Sequence, residues 1–410
     1  MKNNAVFIDA YSTIHVGNGA LLDNSYKLAK EYLNVKNIHV ITADTETNKN
    51  RYESVLSDVF STYPKTKLKK LLWSMWYILN CAVCWLYISL KIPTKYWLAS
   101  KIFKQTFDVI QKSDFVISIS GETLNDFFAP QMYLRCLMFY LCVKLGKRFC
   151  VFPQSIGPVF RKTSIQMLRF CLGKAEVIFA RDNVSFELSK KIWNGCPVKI
   201  AYSPDVAVTQ ESTASKNNDY FESDKKVVGI TLSNPPEEIS GGEGYVNTMI
   251  STISGNLDKN QHTILLMPSN FKKNGVSADY EICMHALSKF IESGFSAKIL
   301  PNDIIHPEIY QGIQKSLFLF ISSRMHVGIL ATSAGTPTIM LNTQHKIRGY
   351  MENIEMGDFV IEYQGIESDM PKLISRCCED NQLIRSQLIT QNNKMRKRLT
   401  EIFTKSFRTK

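Results

Sequence analysis

Eleven short runs of β-branched and aromatic residues, each followed by a longer stretch with helical spacing, set the terms on which this chain can fold. In the first half they fall at Ala5–Ile8, Ile38–Thr42, Phe115–Ser118, Phe149–Phe152, Val177–Phe179 and Val198–Ala201. A second set follows at Val227–Leu232, Ile264–Met267, Ala297–Leu300, Leu317–Ile321 and Thr338–Leu341. Parallel strands need a crossover between consecutive members, so this alternation predicts parallel sheets covered by helices on both faces. At 410 residues the chain exceeds one ordinary core, and two α/β domains are expected. The boundaries predicted are 1–209 for an N-terminal Rossmann-like domain and 210–226 for a polar linker. A C-terminal, donor-binding Rossmann-like domain is expected at 227–365, and a helical basic tail at 366–410.

Lys and Arg total 49 against 37 for Asp and Glu, a net charge of +12. That excess favours phosphate-bearing substrates or an anionic membrane surface. Nucleic acid is not expected as a partner, because the basic run at Lys394–Lys410 is short and no recognised module accompanies it. The ten cysteines sit mostly in apolar stretches and read as small buried hydrophobes of a reducing compartment. Cys81 and Cys84 form a lone CxxC without a second ligand pair, so no metal site is expected there. The N-terminus, MKNNAVFIDAYS, reads as a first strand and not as a signal peptide, which predicts a cytoplasmic protein.

Leu71–Leu90 departs from the alternation: it is 20 residues without a charge, framed by Lys69, Lys70 and Lys91. Its length would span a bilayer, but a span would split one sheet across two faces of the membrane. Two readings stay open. One is a buried helix hairpin; the other is an in-plane contact with the inner leaflet through exposed Trp, Tyr and Leu. The segment is expected to be a helical insertion at about 65–105.

The chemistry concentrates where strands stop. Ser316–Gly349 reads as a strand, then Ser322 and Ser323 as capping residues, then a helix over Met325–Ala334 ended by Gly335, then Pro337 opening the next strand. Arg324 and His326 therefore sit at a strand's carboxyl end on the first turn of a helix, where open α/β sheets bind ligands and free N–H groups attract anions. Arg324 offers a planar fork for a carboxylate or phosphate, and His326 a proton donor or acceptor. The bland alternative is a surface ion pair for Arg324 and a packed core histidine for His326. Asn342–Gly349 adds His345, Lys346 and Arg348; Lys346 is the choice for a second anion contact, against a solvated surface lysine. In the first half, Tyr11–Leu22 is a glycine-bearing turn in which Asn18 and Gly19 allow close backbone approach. Gly121, Gln154 with Ser155, Arg181 with its neighbour Asp182 as a helix cap, and Asp205 also follow strands.

Taken together, Asn18–Gly19, Gly121, Gln154–Pro158 (QSIGP), Arg181–Ser185 (RDNVS), Pro204–Asp205, Arg324–His326 (RMH), Gly335–Pro337 and Lys346 resemble the polysaccharide pyruvyl transferase family. The match is ordered from about Phe7 to Asp358. Where the family often carries several glycines, this chain has Gly121, Glu122 and Thr123. The resemblance implies two Rossmann-like domains whose parallel sheets face a cleft, similar to the GT-B glycosyltransferase architecture. It implies transfer of pyruvate from phosphoenolpyruvate to a sugar diol of a polysaccharide or its lipid-linked precursor, forming a ketal. Phosphoenolpyruvate is then a co-substrate, and neither a cofactor nor a metal is expected. Arg324, Arg181 and Lys346 would hold the donor's charges, and His326 would move the proton. Two alternatives are a nucleotide-sugar-dependent glycosyltransferase, with Glu122 or Asp126 as base, and a non-catalytic scaffold of a polysaccharide assembly complex.

Overall fold

The computed structural model describes residues 3–213, 220–221, 224–233, 242–272, 275–342 and 345–407. Part of the polar segment expected as a linker, 214–219 and 222–223, lies outside the described residues. The chain forms two compact units: residues 1–13, 21–205 and 399–410 make the first, and 14–20 with 206–398 the second.

The first unit holds β1 (Asn3–Ala10), β2 (Val35–Thr42), β3 (Ser54–Ser57), β4 (Phe115–Ser118), β5 (Arg148–Gln154), β6 (Val177–Ala180) and β7 (Lys199–Tyr202). They form one sheet in the order β3-β2-β1-β4-β5-β6-β7, with every pairing parallel. The second unit holds β8 (Lys226–Thr231), β9 (His262–Leu266), β10 (Ala297–Ile299), β11 (Leu319–Ser322), β12 (Thr338–Leu341) and β13 (Val360–Ile361). Its order is β10-β9-β8-β11-β12-β13, again all parallel. Both are Rossmann-like sheets. In each, the strand order reverses beside the unit's first strand, between β1 and β4 and between β8 and β11, and ligands of such sheets bind at that switch point beyond the carboxyl ends.

Sequence accounts for the central strands directly. β4 (FVIS), β6 (VIFA), β11 (LFIS) and β12 (TIML) are buried at every position, as strands covered on both faces must be. β3 and β13 were not expected. Each is a short edge strand with a single neighbour, so neither needs a continuous apolar run.

The apolar segment is one continuous helix, Lys67–Ser89, and not a hairpin. Tyr77, Cys81 and Cys84 are buried in the first unit's core. Asn80 fixes the helix to the following loop, its Oδ1 accepting from the Ser100 N–H at 2.8 Å. Of the two readings left open, the in-plane contact would have Trp73 and Trp76 exposed; both are partly buried instead. Trp73 packs on Phe60 and Tyr63 and donates its Nε1–H to Thr62 Oγ1 at 2.9 Å; Trp76 meets Phe103 edge-on. Indoles that find both aromatic neighbours and an acceptor turn inward.

The last helix, Asn381–Phe407, contributes to both units. Arg396 donates to the carbonyls of Val208 and Gln210 at 2.8 and 3.1 Å in the second unit. Phe403 is fully buried in the first, with ring centroids 5.7 Å from Tyr32, 5.2 Å from Phe152 and 4.9 Å from Phe179.

Candidate functional site

In the second unit the carboxyl ends of β8 and β11 are joined by polar contacts. Ser323 donates its N–H to Thr231 O at 3.1 Å, and its hydroxyl meets that of Ser233 at 2.9 Å. Tyr245 donates to Ser233 O at 2.6 Å. The helix that leaves this edge is Met325–Ser333, and Arg324 is its N-cap. Neither expected serine caps the helix, which has no side-chain cap hydrogen bond; Ser323 is turned to Ser233 instead. Ser322 Oγ accepts from the Arg324 N–H at 3.1 Å and donates to Arg324 O at 2.9 Å. Arg324 has extended backbone angles, φ −115° and ψ 126°, and His326 stands in the first helical turn. Gly335, at φ 80°, ends the helix in the left-handed region that glycine tolerates.

The guanidinium of Arg324 is gripped along one edge. Its Nη2 donates to Asp279 Oδ1 at 2.5 Å and its Nε to Oδ2 at 3.2 Å. Asp279 opens the helix Ala278–Glu292, and Ser269 donates to its Oδ2 at 3.3 Å. The Asp279 side chain is 1% exposed and that of Arg324 is 42% exposed. The pair therefore fixes Arg324 from beneath, and the Nη1 donors not engaged by Asp279 remain on the outer edge. Arg324 is thus an ion-pair partner, as its bland alternative held, with a buried carboxylate.

His15 completes this group and was not singled out in the sequence. It belongs to the second unit through residues 14–20, where it bridges Asn270 as a single antiparallel pair. Val16 donates to Ser269 O at 3.0 Å. Burial lowers the His15 pKa below its ordinary 6.5, the Arg324 charge lowers it further, and Asp279 opposes them. Neutral His15 therefore lies beside the Arg324–Asp279 pair. Helix Val16–Tyr32 begins directly after it, so Asn18 and Gly19 lie in a first helical turn, where a loop was expected; Gly19 donates to His15 O at 3.0 Å. Tyr363 is the other neighbour. Burial first, then Tyr245, raise its pKa, while Arg324 lowers it, and its buried hydroxyl has no hydrogen-bond partner among the described residues.

Lys346 is half-buried on the helix His345–Asn353, and the His345 side chain lies outside the described residues. Arg348 pairs with Glu362 at 2.7 Å.

The remaining expected residues lie in the first unit, where the ends of β5, β6 and β7 meet. Arg181 pairs with Asp205 at 2.8 Å, the two side chains being 1% and 2% exposed. Its Nε donates to Ser155 Oγ at 3.0 Å, and Ser155 donates to Asp182 at 2.9 Å. Asp182 caps the helix Asn183–Ile192, as expected, accepting from the Ser185 N–H. Gly121 joins through its carbonyl, which accepts from the Ser155 N–H at 3.2 Å. Gln154 is fully buried, and neither its Oε1 nor its Nε2 has a partner among the described residues. At this burial Arg181 holds Ser155 and Asp205 in place. Asp126 is likewise committed. Burial alone would raise its pKa, but hydrogen bonds from Ser164 and from the Arg161 and Phe160 N–H groups hold it below the usual range. It clamps a loop and is a poor base.

At this sheet's own switch point, Asp9 stands at the bulge of β1 with φ 62°. Its carboxylate pairs with Arg135 and accepts from Ser118 at 2.7 Å. Asp58 lies 3.7 Å from the same guanidinium. This buried triad went unread because its members are far apart in sequence.

The order of these elements matches a known family over most of the chain: the model described as polysaccharide pyruvyl transferase fits residues 15–345. The chain belongs to the polysaccharide pyruvyl transferase family. The span opens at His15 and contains Asp279, Arg324 and His326, while Lys346 and Tyr363 lie just beyond its end. A relative, the amylovoran biosynthesis protein AmsJ of Erwinia amylovora, is 20% identical over 279 residues, 64% of this chain and 65% of that protein. The chain thus spans just under two thirds of AmsJ. Among solved structures, Anabaena HepE in complex with UDP-glucose superimposes with a TM-score of 0.56 at 13% identity, covering 99% of both chains. MnaA of S. aureus, solved with UDP, gives 0.54 at 11%, covering 96% of this chain and 92% of its own. At such identities the likeness shows fold alone. This pyruvyl transferase family member has the two-domain, Rossmann-like α/β fold of the GT-B type.

Proposed function

We propose that the protein transfers the pyruvyl group of phosphoenolpyruvate to two hydroxyls of a sugar in a polysaccharide or its lipid-linked precursor, closing a cyclic ketal. Protonation of the donor's methylene carbon makes the neighbouring carbon electrophilic. One sugar hydroxyl adds there, phosphate leaves with its bonding pair, and the second hydroxyl adds in its place. The two hydroxyl protons balance the one taken up by the methylene and the one carried off on phosphate.

The observation that carries this reading is the second unit's switch point, where Arg324 presents an outer edge held rigid by Asp279 and His326 stands on the same helical turn. Arg324 binds a donor anion, helped by the helix N-terminus. His326 delivers the proton. Lys346 and the first-turn backbone of Asn18 and Gly19 add to the donor site. Neutral His15 contributes a hydrogen bond without competing for the anion's charge. No cofactor or metal is called upon in these steps.

The test is incubation with isotopically labelled phosphoenolpyruvate and a panel of diol-bearing glycans. Release of inorganic phosphate together with label in an acid-labile ketal supports the reading. Nucleotide release from a sugar nucleotide, with no turnover of phosphoenolpyruvate, would replace it by glycosyl transfer.

A further inference from the structure

The helix Lys67–Ser89 has two apolar sides, and the first unit covers only one. At 100° per residue, Leu68, Leu72, Met75, Leu79, Leu86 and Leu90 fall within about 60° of one another around the axis. Each is between 48% and 69% exposed. Tyr77, Cys81 and Cys84 project from the opposite side and are buried. The exposed stripe runs the length of a 23-residue helix, roughly 35 Å at 1.5 Å per residue. An apolar strip of that size is not left to water without a use.

Charge says what covers it. Between Asp58 and Asp108 the chain has eight lysines (65, 67, 69, 70, 91, 95, 101 and 104) and no acidic residue. Lys67 and Lys69 flank Leu68 at about 100° to either side, and Lys91 and Lys95 follow the helix's other end. Both ends are therefore positive. A second copy pairing along this stripe would set lysines against lysines in either orientation, whereas an anionic surface meets both ends favourably. A crossing helix is excluded by the buried side, which is part of the domain core, and by the Asn80 link to Ser100.

We propose that this helix lies in the plane of an anionic lipid leaflet, with its leucine–methionine stripe sunk among the acyl chains and its lysines at the headgroups. Trp73 and Trp76 take little part, because they are packed inward, whereas Trp85 is 43% exposed. The proposal is independent of the donor assignment, and its readout involves no turnover.

The test is flotation of the full chain with vesicles of phosphatidylglycerol and phosphatidylcholine, at low and high salt. Wild type should float with the vesicles, less so at high salt. Leu72→Ser/Met75→Ser/Leu79→Ser should lose about tenfold or more in partitioning while melting normally, since all three side chains are exposed. Lys67→Glu/Lys69→Glu/Lys70→Glu should lose a similar amount through charge alone. The proposal is overturned if wild type stays with the unbound fraction, if the serine variant floats equally well, or if phosphatidylcholine alone suffices. A lipid-free dimer abolished by the serine substitutions would also overturn it, and would assign the stripe to a second copy.

Discussion

Gly17 approaches His326 so closely that a methyl group on it would stand 2.5 Å from the histidine Cβ and 3.1 Å from Nδ1. The first helix of the chain and the helix after β11 are thus in contact at the imidazole proposed to move the proton.

Gly17→Ala therefore sets two effects against each other. Alanine gains about 1 kcal/mol of helix propensity over glycine, while overpacking a filled site costs about 1–3 kcal/mol. The clashing atom is a Cβ, which cannot rotate away, so the clash should win. A lower melting temperature is expected, with a fall in kcat larger than the rise in donor KM. A variant more stable than wild type would refute the close approach.

Arg324→Lys keeps the charge and loses the fork. A lysine cannot satisfy both oxygens of buried Asp279 while also facing a ligand. Donor KM should rise about tenfold or more, with some loss of stability from the half-satisfied carboxylate. Unchanged KM, measured by phosphate release, would remove Arg324 from the donor site.

His326→Gln should fold, because the side chain is only half-buried, and should lose about 10²–10⁴-fold in turnover with a smaller effect on donor binding. A variant that melts far below wild type would make the histidine a packing residue.

His15 gives a pH dependence of definite sign. Its folded pKa lies below 6.5 because of burial and Arg324, so below 6.5 the unfolded chain binds more protons than the folded one. Stability should therefore fall as pH drops from about 6.5 and level off once the folded pKa is passed. His39 and His262 are shifted the same way by burial, so the difference between wild type and His15→Gln is the informative quantity. Denaturant melts between pH 7 and 5 should show a shallower slope for His15→Gln; identical slopes would place His15 in water.

Strands buried on both faces were legible because an unbroken apolar run admits few other readings: Phe115–Ser118 and Thr338–Leu341 have the expected ends to the residue. β3 and β13 carry no such run. The placement of Arg324 and His326 was legible because a strand end followed by a helix fixes their position along the chain. His15 and Asp279 were not. An acidic residue in a first helical turn is ordinary, and His15 gains meaning only from Asn270 and Arg324, hundreds of positions away. The signal that could have raised it is its place immediately before Val-Gly-Asn-Gly, at the start of a helix. Sequence shows Arg181 as a guanidinium at a strand end but not the Asp205 that pairs with it.

The last helix has a consequence for the order of events during synthesis. The first unit's sheet is complete once Tyr202 has been made, yet the ring that fills the space between Phe152 and Phe179 belongs to Phe403, some two hundred residues later in the chain. Until it arrives, that aromatic surface is open to water, to the wrong helix or to a chaperone. The N-terminal half thus leaves the ribosome first and finishes last, and a nascent chain stalled anywhere before Leu399 holds a sheet that is paired but not closed.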